Sequence, residues 1–133
     1  MAARIPEKFR DLVTTKKAFA HLATLMPDGS AHVAPVWVDS AGDRILINTA
    51  RGRVKDRNME RDKRVALSIT DPDNPYRHVA IRGRVVGVTE TGADQHIDKL
   101  AKKYMGVDKY PHRAPGERRV IYTIEPVKVG TMG

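Results

Sequence analysis

The chain contains no cysteine. That removes disulfides, a thiolate nucleophile and cysteine-ligated zinc, and it agrees with a reducing compartment. Aromatic residues are scarce: one Trp, four Tyr and two Phe. Proteins that grip single strands by base stacking need aromatic platforms, so that class is disfavoured. No apolar run approaches the roughly 20 residues of a membrane span. The first residues, Met1 to Glu7, carry no apolar core of signal-peptide length. A soluble, cytoplasmic protein is expected. There is no Gly-x-Ser-x-Gly elbow, and Ser30, Ser40 and Ser68 have no adjacent histidine, which argues against serine hydrolysis. The five histidines, His21, His32, His78, His96 and His112, lack the paired spacing of a metal site. No metal is expected.

What is present is positive charge. Lys and Arg number 24 against 16 Asp and Glu, a net charge of +8. Such a field attracts nucleic acid, an acidic membrane or a multiply charged small molecule. With 133 residues, 41% of them hydrophobic, the chain is long enough for a real core, and one domain over 1–133 is expected.

Pro6 to Thr14 reads as a short helix with a stripe of Ile5, Phe9, Leu12 and Val13. Ala18 to Met26 and Ala31 to Asp39 flank the turn Pro27-Asp-Gly-Ser30 and read as a hairpin. Pro35 cannot donate to a ladder and marks an edge or bulge. Arg44 to Thr49 follows a second turn, so three strands form an antiparallel meander. Val65 to Thr70 and His78 to Val88 are further strands, with bends expected at Gly83 and Gly87. A helix opens at Thr91 with the stripe Ala93, Ile97, Leu100, Ala101 and Tyr104, and stops at Gly106. After a loop, Arg119 to Glu125 is the last strand. These elements predict a mainly β protein with peripheral helices: about six antiparallel strands in a closed barrel.

The densest chemistry lies in Asn48-Thr-Ala-Arg-Gly-Arg-Val-Lys-Asp-Arg-Asn58. Arg51, Arg53, Lys55 and Arg57 alternate, and in extended backbone they would share one face. Either they converge on one anion or they form a solvated basic loop. With Asn48 and Thr49 just before them, they offer amide, hydroxyl, guanidinium and ammonium groups suited to a phosphate. A helix reads from about Asn58 to Arg64. Trp37 is either the wall of a ring-binding pocket or a core residue. Asn74-Pro-Tyr-Arg77 is either a pocket edge or a plain turn.

Pro35-Val-Trp-Val38, Asn48-Thr49, Arg53-Val-Lys-Asp-Arg-Asn58, Arg61-Asp-Lys-Arg-Val65, Asp71-Pro-Asp-Asn-Pro-Tyr76, Gly83 and Pro115-Gly-Glu-Arg-Arg-Val120 together resemble the pyridoxamine 5'-phosphate oxidase-like superfamily. Their order and spacing are similar to its branch of F420-dependent (deazaflavin-dependent) oxidoreductases. The resemblance implies a six-stranded split β-barrel and a homodimer with cofactor sites at the subunit interface. It implies that Arg53 and Lys55 hold a cofactor phosphate. Thr49 and the strand Pro35–Val38, with Val36 and Trp37, would lie along the ring and ribityl chain. The basic stretch itself adds Asn48 as a further cofactor-binding candidate and Arg51 and Arg57 as tail or rim charges. Tyr76 and Arg77 would approach a site from the other subunit. The substrate-phosphate residues of the pyridoxamine oxidases are not found. Coenzyme F420 is the expected cofactor, with FMN as the alternative, and a conjugated organic molecule such as a tetrapyrrole or quinone-like compound is the acceptor. A non-catalytic F420 carrier and a nucleic-acid-binding barrel are the competing readings.

Overall fold

A computed structural model describes residues 3–133. A 3-10 helix, Glu7–Leu12, follows Pro6 and buries Phe9 and Leu12. Seven strands then form one antiparallel sheet. They are β1 (Ala20–Leu25), β2 (Ala31–Val36), β3 (Asp39–Ala41), β4 (Arg44–Ala50), β5 (Arg64–Asp71), β6 (Asn74–Thr89) and β7 (Arg119–Met132). Two α-helices interrupt them: α1 (Val54–Arg61) and α2 (Ala93–Met105). The sheet order is β2-β1-β5-β6-β7-β4-β3.

Two expectations are corrected here. There are seven strands rather than six, and among the described residues no ladder joins β2 to β3, so the sheet is not closed. Nor is there a three-strand meander. The stretch read as one strand from Ala31 to Asp39 is two, on opposite edges of the sheet, joined by Trp37 and Val38 alone. Three Cα steps of about 3.8 Å separate Val36 from Asp39, so the edges approach within about 11 Å there. The sheet must therefore curl strongly. Glycine helps: a Cβ on Gly83 would lie 2.8 Å from the Glu125 carbonyl oxygen. The ladder between β6 and β7 shifts register beside Gly83 and Gly87, the two expected bends.

Inward side chains alternate along the strands, as a one-sided core requires. Leu22, Ile45, Ile47, Leu67, Ile69, Ile81, Tyr122 and Ile124 are all buried, with Phe9 and Leu12 from the 3-10 helix and Met59 from α1 at its margins. In α2 the predicted stripe holds: Ala93, Ile97, Leu100 and Ala101 are buried, and Gly106 closes the helix in the left-handed conformation.

The basic stretch is corrected in detail. It is not extended. Gly52 turns the chain at φ 92°, and α1 begins at Val54, four residues before the expected start. Asp56 explains the early start. Its Oδ2 accepts the Gly52 amide at 2.8 Å, and its Oδ1 meets Arg51 at 3.1 Å. A carboxylate in the first turn also suits the positive end of the helix. Residues two apart on a helix point in nearly opposite directions, so Lys55 and Arg57 diverge.

Candidate cofactor cleft

The end of β2, the Trp37–Val38 crossing, β4, the start of α1, α2 and the loop before β7 enclose a cleft of about 460 Å³. One wall is aromatic. Trp37 stacks on Tyr104 at 5.2 Å with the rings 5° from parallel. Phe19 meets Tyr104 edge-on at 5.5 Å, and Tyr110 meets Trp37 edge-on at 5.8 Å. Phe19 is 47% exposed and belongs to this wall. The Tyr104 hydroxyl also fastens the crossing. It donates to the Ala18 carbonyl at 2.6 Å and accepts the Val38 amide at 3.1 Å. Burial raises its pKa to about 12, so it stays a donor. Lys103 donates to the Val38 carbonyl at 3.1 Å.

The other side is cationic. Arg53, Lys55 and Arg119 all line the cleft. Glu117 is the nearby carboxylate, 2.9 Å from Arg119 and 3.9 Å from Arg53. Lys55 is half-buried and has no carboxylate partner among the described residues. Burial, with Arg53 and Arg119 close by, pushes its ammonium below the usual lysine range. Three cations against one carboxylate form a site that lacks negative charge. The first turn of α1 adds backbone N–H groups without intrahelical acceptors. A phosphate has the charge and oxygens that such a site could hold, with Arg as a fork and Lys as a point charge.

Asn48 forms the floor and is held on three sides. Its amide nitrogen donates to the Ala93 carbonyl at 2.8 Å and meets His96 Nδ1 at 3.1 Å; its oxygen accepts from Arg119 Nε at 2.9 Å. Behind it, His96 Nε2 lies 2.9 Å from Asp39 Oδ2. Burial pushes the Asp39 carboxyl up. Hydrogen bonds from His96 and the Ser40 amide, with Lys99 nearby, outweigh burial and hold it at about 2.

Of the residues singled out in the sequence, Val36, Trp37, Asn48, Arg53 and Lys55 meet in this cleft. The others do not. Thr49 is fully buried, and its hydroxyl, on the opposite face of β4 from Asn48, has no hydrogen-bond partner. Arg51 is consumed by Asp56, Glu60 and Glu90. Arg57 is exposed on α1. Tyr76 is 78% exposed at the start of β6. Arg77 is bound to Asp11 and Asp71 and to the Lys8 carbonyl, which ties β6 to the 3-10 helix. Sequence reasoning missed Arg119, Tyr104 and Tyr110 as cleft residues. Tyr104 showed only a helix stripe, and the loop bearing Tyr110 has no periodicity to read.

Two larger hollows, about 750 and 540 Å³, lie on the outer face of β1, β5, β6 and β7 around Ala23, Ala66, Arg82 and Lys128. Neither has an aromatic wall. Among the described residues, no helix is long and apolar enough to cross a membrane, and no cluster of His, Asp and Glu can hold a metal ion.

Among solved structures, an F420 reductase is 30% identical over 95% of this chain and 98% of its own, with a TM-score of 0.82. A conserved hypothetical protein of Mycobacterium tuberculosis is 20% identical, covering 98% of this chain and 86% of that one, at a TM-score of 0.71. A pyridoxamine 5'-phosphate oxidase-type protein of Listeria innocua is 15% identical, covering 94% and 95%, at 0.70. The last two likenesses concern the fold alone. None of the curated proteins matches. Residues 5–133 match the family described as pyridoxamine 5'-phosphate oxidase, and the chain belongs to that family.

Proposed function

We propose that the protein is an oxidoreductase whose cleft holds a phosphate-bearing, flavin-like cofactor, and that this cofactor is the deazaflavin coenzyme F420. The observation that carries the proposal is Lys55: a half-buried ammonium without a carboxylate, beside Arg53 and Arg119 and facing the Trp37–Tyr104 wall. A planar ring with an anionic tail matches both halves of that description. The likeness to an F420 reductase at 30% identity supports the choice of deazaflavin. So does the net charge of +8, since the F420 tail is more anionic than FMN. Among the described residues Arg57 has no side-chain partner and is available for that tail, whereas Arg51 is not. FMN is the second reading, favoured by the family match.

Bound there in its reduced form, the cofactor would supply hydride to a conjugated acceptor, a tetrapyrrole or quinone-like molecule. The chain itself binds, orients and excludes water. Arg53 and Lys55 would neutralise the phosphate, and Arg119, held in place by Asn48, would present its remaining N–H groups at the floor. Val36 and Trp37 would bed the ring. The proposed assembly is a homodimer, in which Tyr76 and Arg77 reach a site only from the second copy. The outer face with its two hollows, where Val33 and Val127 are exposed, is the surface we assign to that contact.

The test is a fluorescence titration with F420 and, separately, FMN, for the parent and Lys55→Ala. Losing one charge-assisted hydrogen bond of about 1.5–3 kcal/mol predicts an affinity loss of roughly 10- to 150-fold. Micromolar binding of neither cofactor overturns the reading. Equal binding by Lys55→Ala overturns the phosphate assignment. A screen of acceptors against reduced cofactor separates an enzyme from a carrier.

A further inference from the structure

Behind the cleft, α2 and β3 place an imidazole and a carboxylate whose contacts lead back to the floor. The His96 side chain is 9% exposed. It does not line the cleft; it touches Asn48, which does.

The donor and acceptor inventory of this group admits one arrangement. Both N–H donors of the Asn48 amide are used, one toward Ala93 O at 2.8 Å and one toward His96 Nδ1 at 3.1 Å. The Asn48 oxygen must take the Arg119 Nε proton at 2.9 Å, because a guanidinium has no acceptor. A flipped amide would set oxygen against the Ala93 carbonyl and N–H against N–H at Arg119. His96 Nδ1 must therefore accept. The ring proton then lies on Nε2, where Asp39 Oδ2 receives it at 2.9 Å. The neutral Nε2–H tautomer satisfies every contact. An imidazolium would face the Asn48 amide donor with a second donor.

We propose that His96 is a positioning residue of the cleft: wedged between Asp39 and Asn48, it holds the Asn48 amide, and through it the Arg119 guanidinium, in the pose that faces a bound anionic cofactor. The role in binding rests on the cofactor reading given for the cleft; the tautomer does not. The charged groups around His96 are Asp39 from β3, Lys99 of its own helix at 3.3 Å from the same carboxylate, and Arg119 from β7 with Glu117 at 2.9 Å. Protonating His96 turns an acceptor into a donor at Nδ1. The Asn48 amide must then rotate, and Arg119 loses its Nε acceptor. Affinity for an anion therefore falls on the acid side, although the ring has gained positive charge.

Two measurements test this. Long-range proton–nitrogen correlation spectra of the protein without cofactor, near pH 8, report the tautomer. The Nε2–H form is expected, and the Nδ1–H form overturns the proposal. Titrations with F420 and with FMN are then run for the parent, His96→Asn and His96→Leu at about pH 8 and pH 5.5, which spans the range in which imidazoles protonate. His96→Asn keeps an acceptor at the Nδ1 position and does not titrate. Titration of the ligand phosphate is common to all three proteins and cancels in their ratios. The parent should lose about tenfold more affinity on acidification than His96→Asn, the size expected for one lost hydrogen bond to a charged group. His96→Leu should bind about tenfold more weakly at both pH values, with its circular dichroism showing that it is folded. A parent-to-Asn ratio independent of pH, with His96→Leu binding as the parent does, overturns the role. If the parent binds neither cofactor, the cofactor reading fails instead, and the tautomer still decides the placement of His96.

Discussion

Tyr122 offers a direct test of how the core sets the pose of α1. It is fully buried in β7, and its hydroxyl donates to Asp56 Oδ1 at 2.6 Å. Burial, followed by the bond to Asp56, drives its pKa well above the usual tyrosine range. Asp56 in turn accepts the Gly52 amide and the Arg51 guanidinium, which start the helix that carries Lys55. Tyr122→Phe keeps the ring and removes the donor. A hydrogen bond to a charged group is worth about 1.5–3 kcal/mol. Asp56 keeps two other donors, so a cost near the lower half, about 2 kcal/mol, is expected. Unfolding entropy is about 2.1 cal/mol/K per residue, or about 0.28 kcal/mol/K for this chain, which converts that cost to a fall in Tm of about 7 °C. Thermal unfolding followed by circular dichroism measures it, and urea unfolding should show a lower midpoint with unchanged m-value. Asp56→Asn should cost a similar amount. The double variant should cost clearly less than both together, because the same contact is removed twice. A Tm drop below about 2 °C, or additive costs, would refute the claim that this bond anchors the helix.

Asp39 predicts an acid dependence. Its carboxyl is held at about 2 against a reference of 3.8, so its stabilisation is present above pH 3.8 and is lost as pH falls through 2. At about 1.4 kcal/mol per pKa unit this is roughly 2.5 kcal/mol in full, of which about 2 kcal/mol is lost by pH 2; urea unfolding between pH 5 and 2 should show the parent losing that much more stability than Asp39→Asn. A parallel decline of the two proteins would count against it. Lys55 predicts a conflict between stability and binding. Its charge is disfavoured by burial and by Arg53 and Arg119, so Lys55→Met should keep or raise Tm while cofactor affinity falls at least tenfold. A Tm lowered by several degrees would show instead that Lys55 supports the fold.

The strands and α2 were legible because their signals are local. Leu67 and Ile69 alternate, Ala93 to Ala101 repeat at helical spacing, and Gly106 punctuates. Arg53 and Lys55 were legible as a chemical pair, but their geometry was not. Alternation from Arg51 to Arg57 suggested a strand, and only Asp56, bound to Gly52 and Tyr122 from a distant strand, makes that stretch a helix. The fate of Arg51 followed the same logic, since Glu60 and Glu90 reach it through tertiary contact. The break at Trp37–Val38 was hidden because Ala31 to Asp39 looks like one apolar strand. What divides it is the curl of the whole sheet. Arg119 and His96 were invisible as site residues because Asn48 unites them from two elements far apart in sequence.

The crossing at Trp37–Val38 also constrains how this architecture can diversify. Trp37, one of the two residues that bridge the sheet's edges, also lines the cleft and in the proposed function would bed a planar guest, so one short segment answers to two selections. A change that widens the bed alters the span between the edges, and Tyr104, which fastens the crossing and stacks beneath the ring of Trp37, transmits the change to α2. New substrate preference is therefore more easily acquired on the opposite rim. The segment 107–117 carries Tyr110 and His112 into the cleft, bridges no edges, and can vary in length without disturbing the sheet.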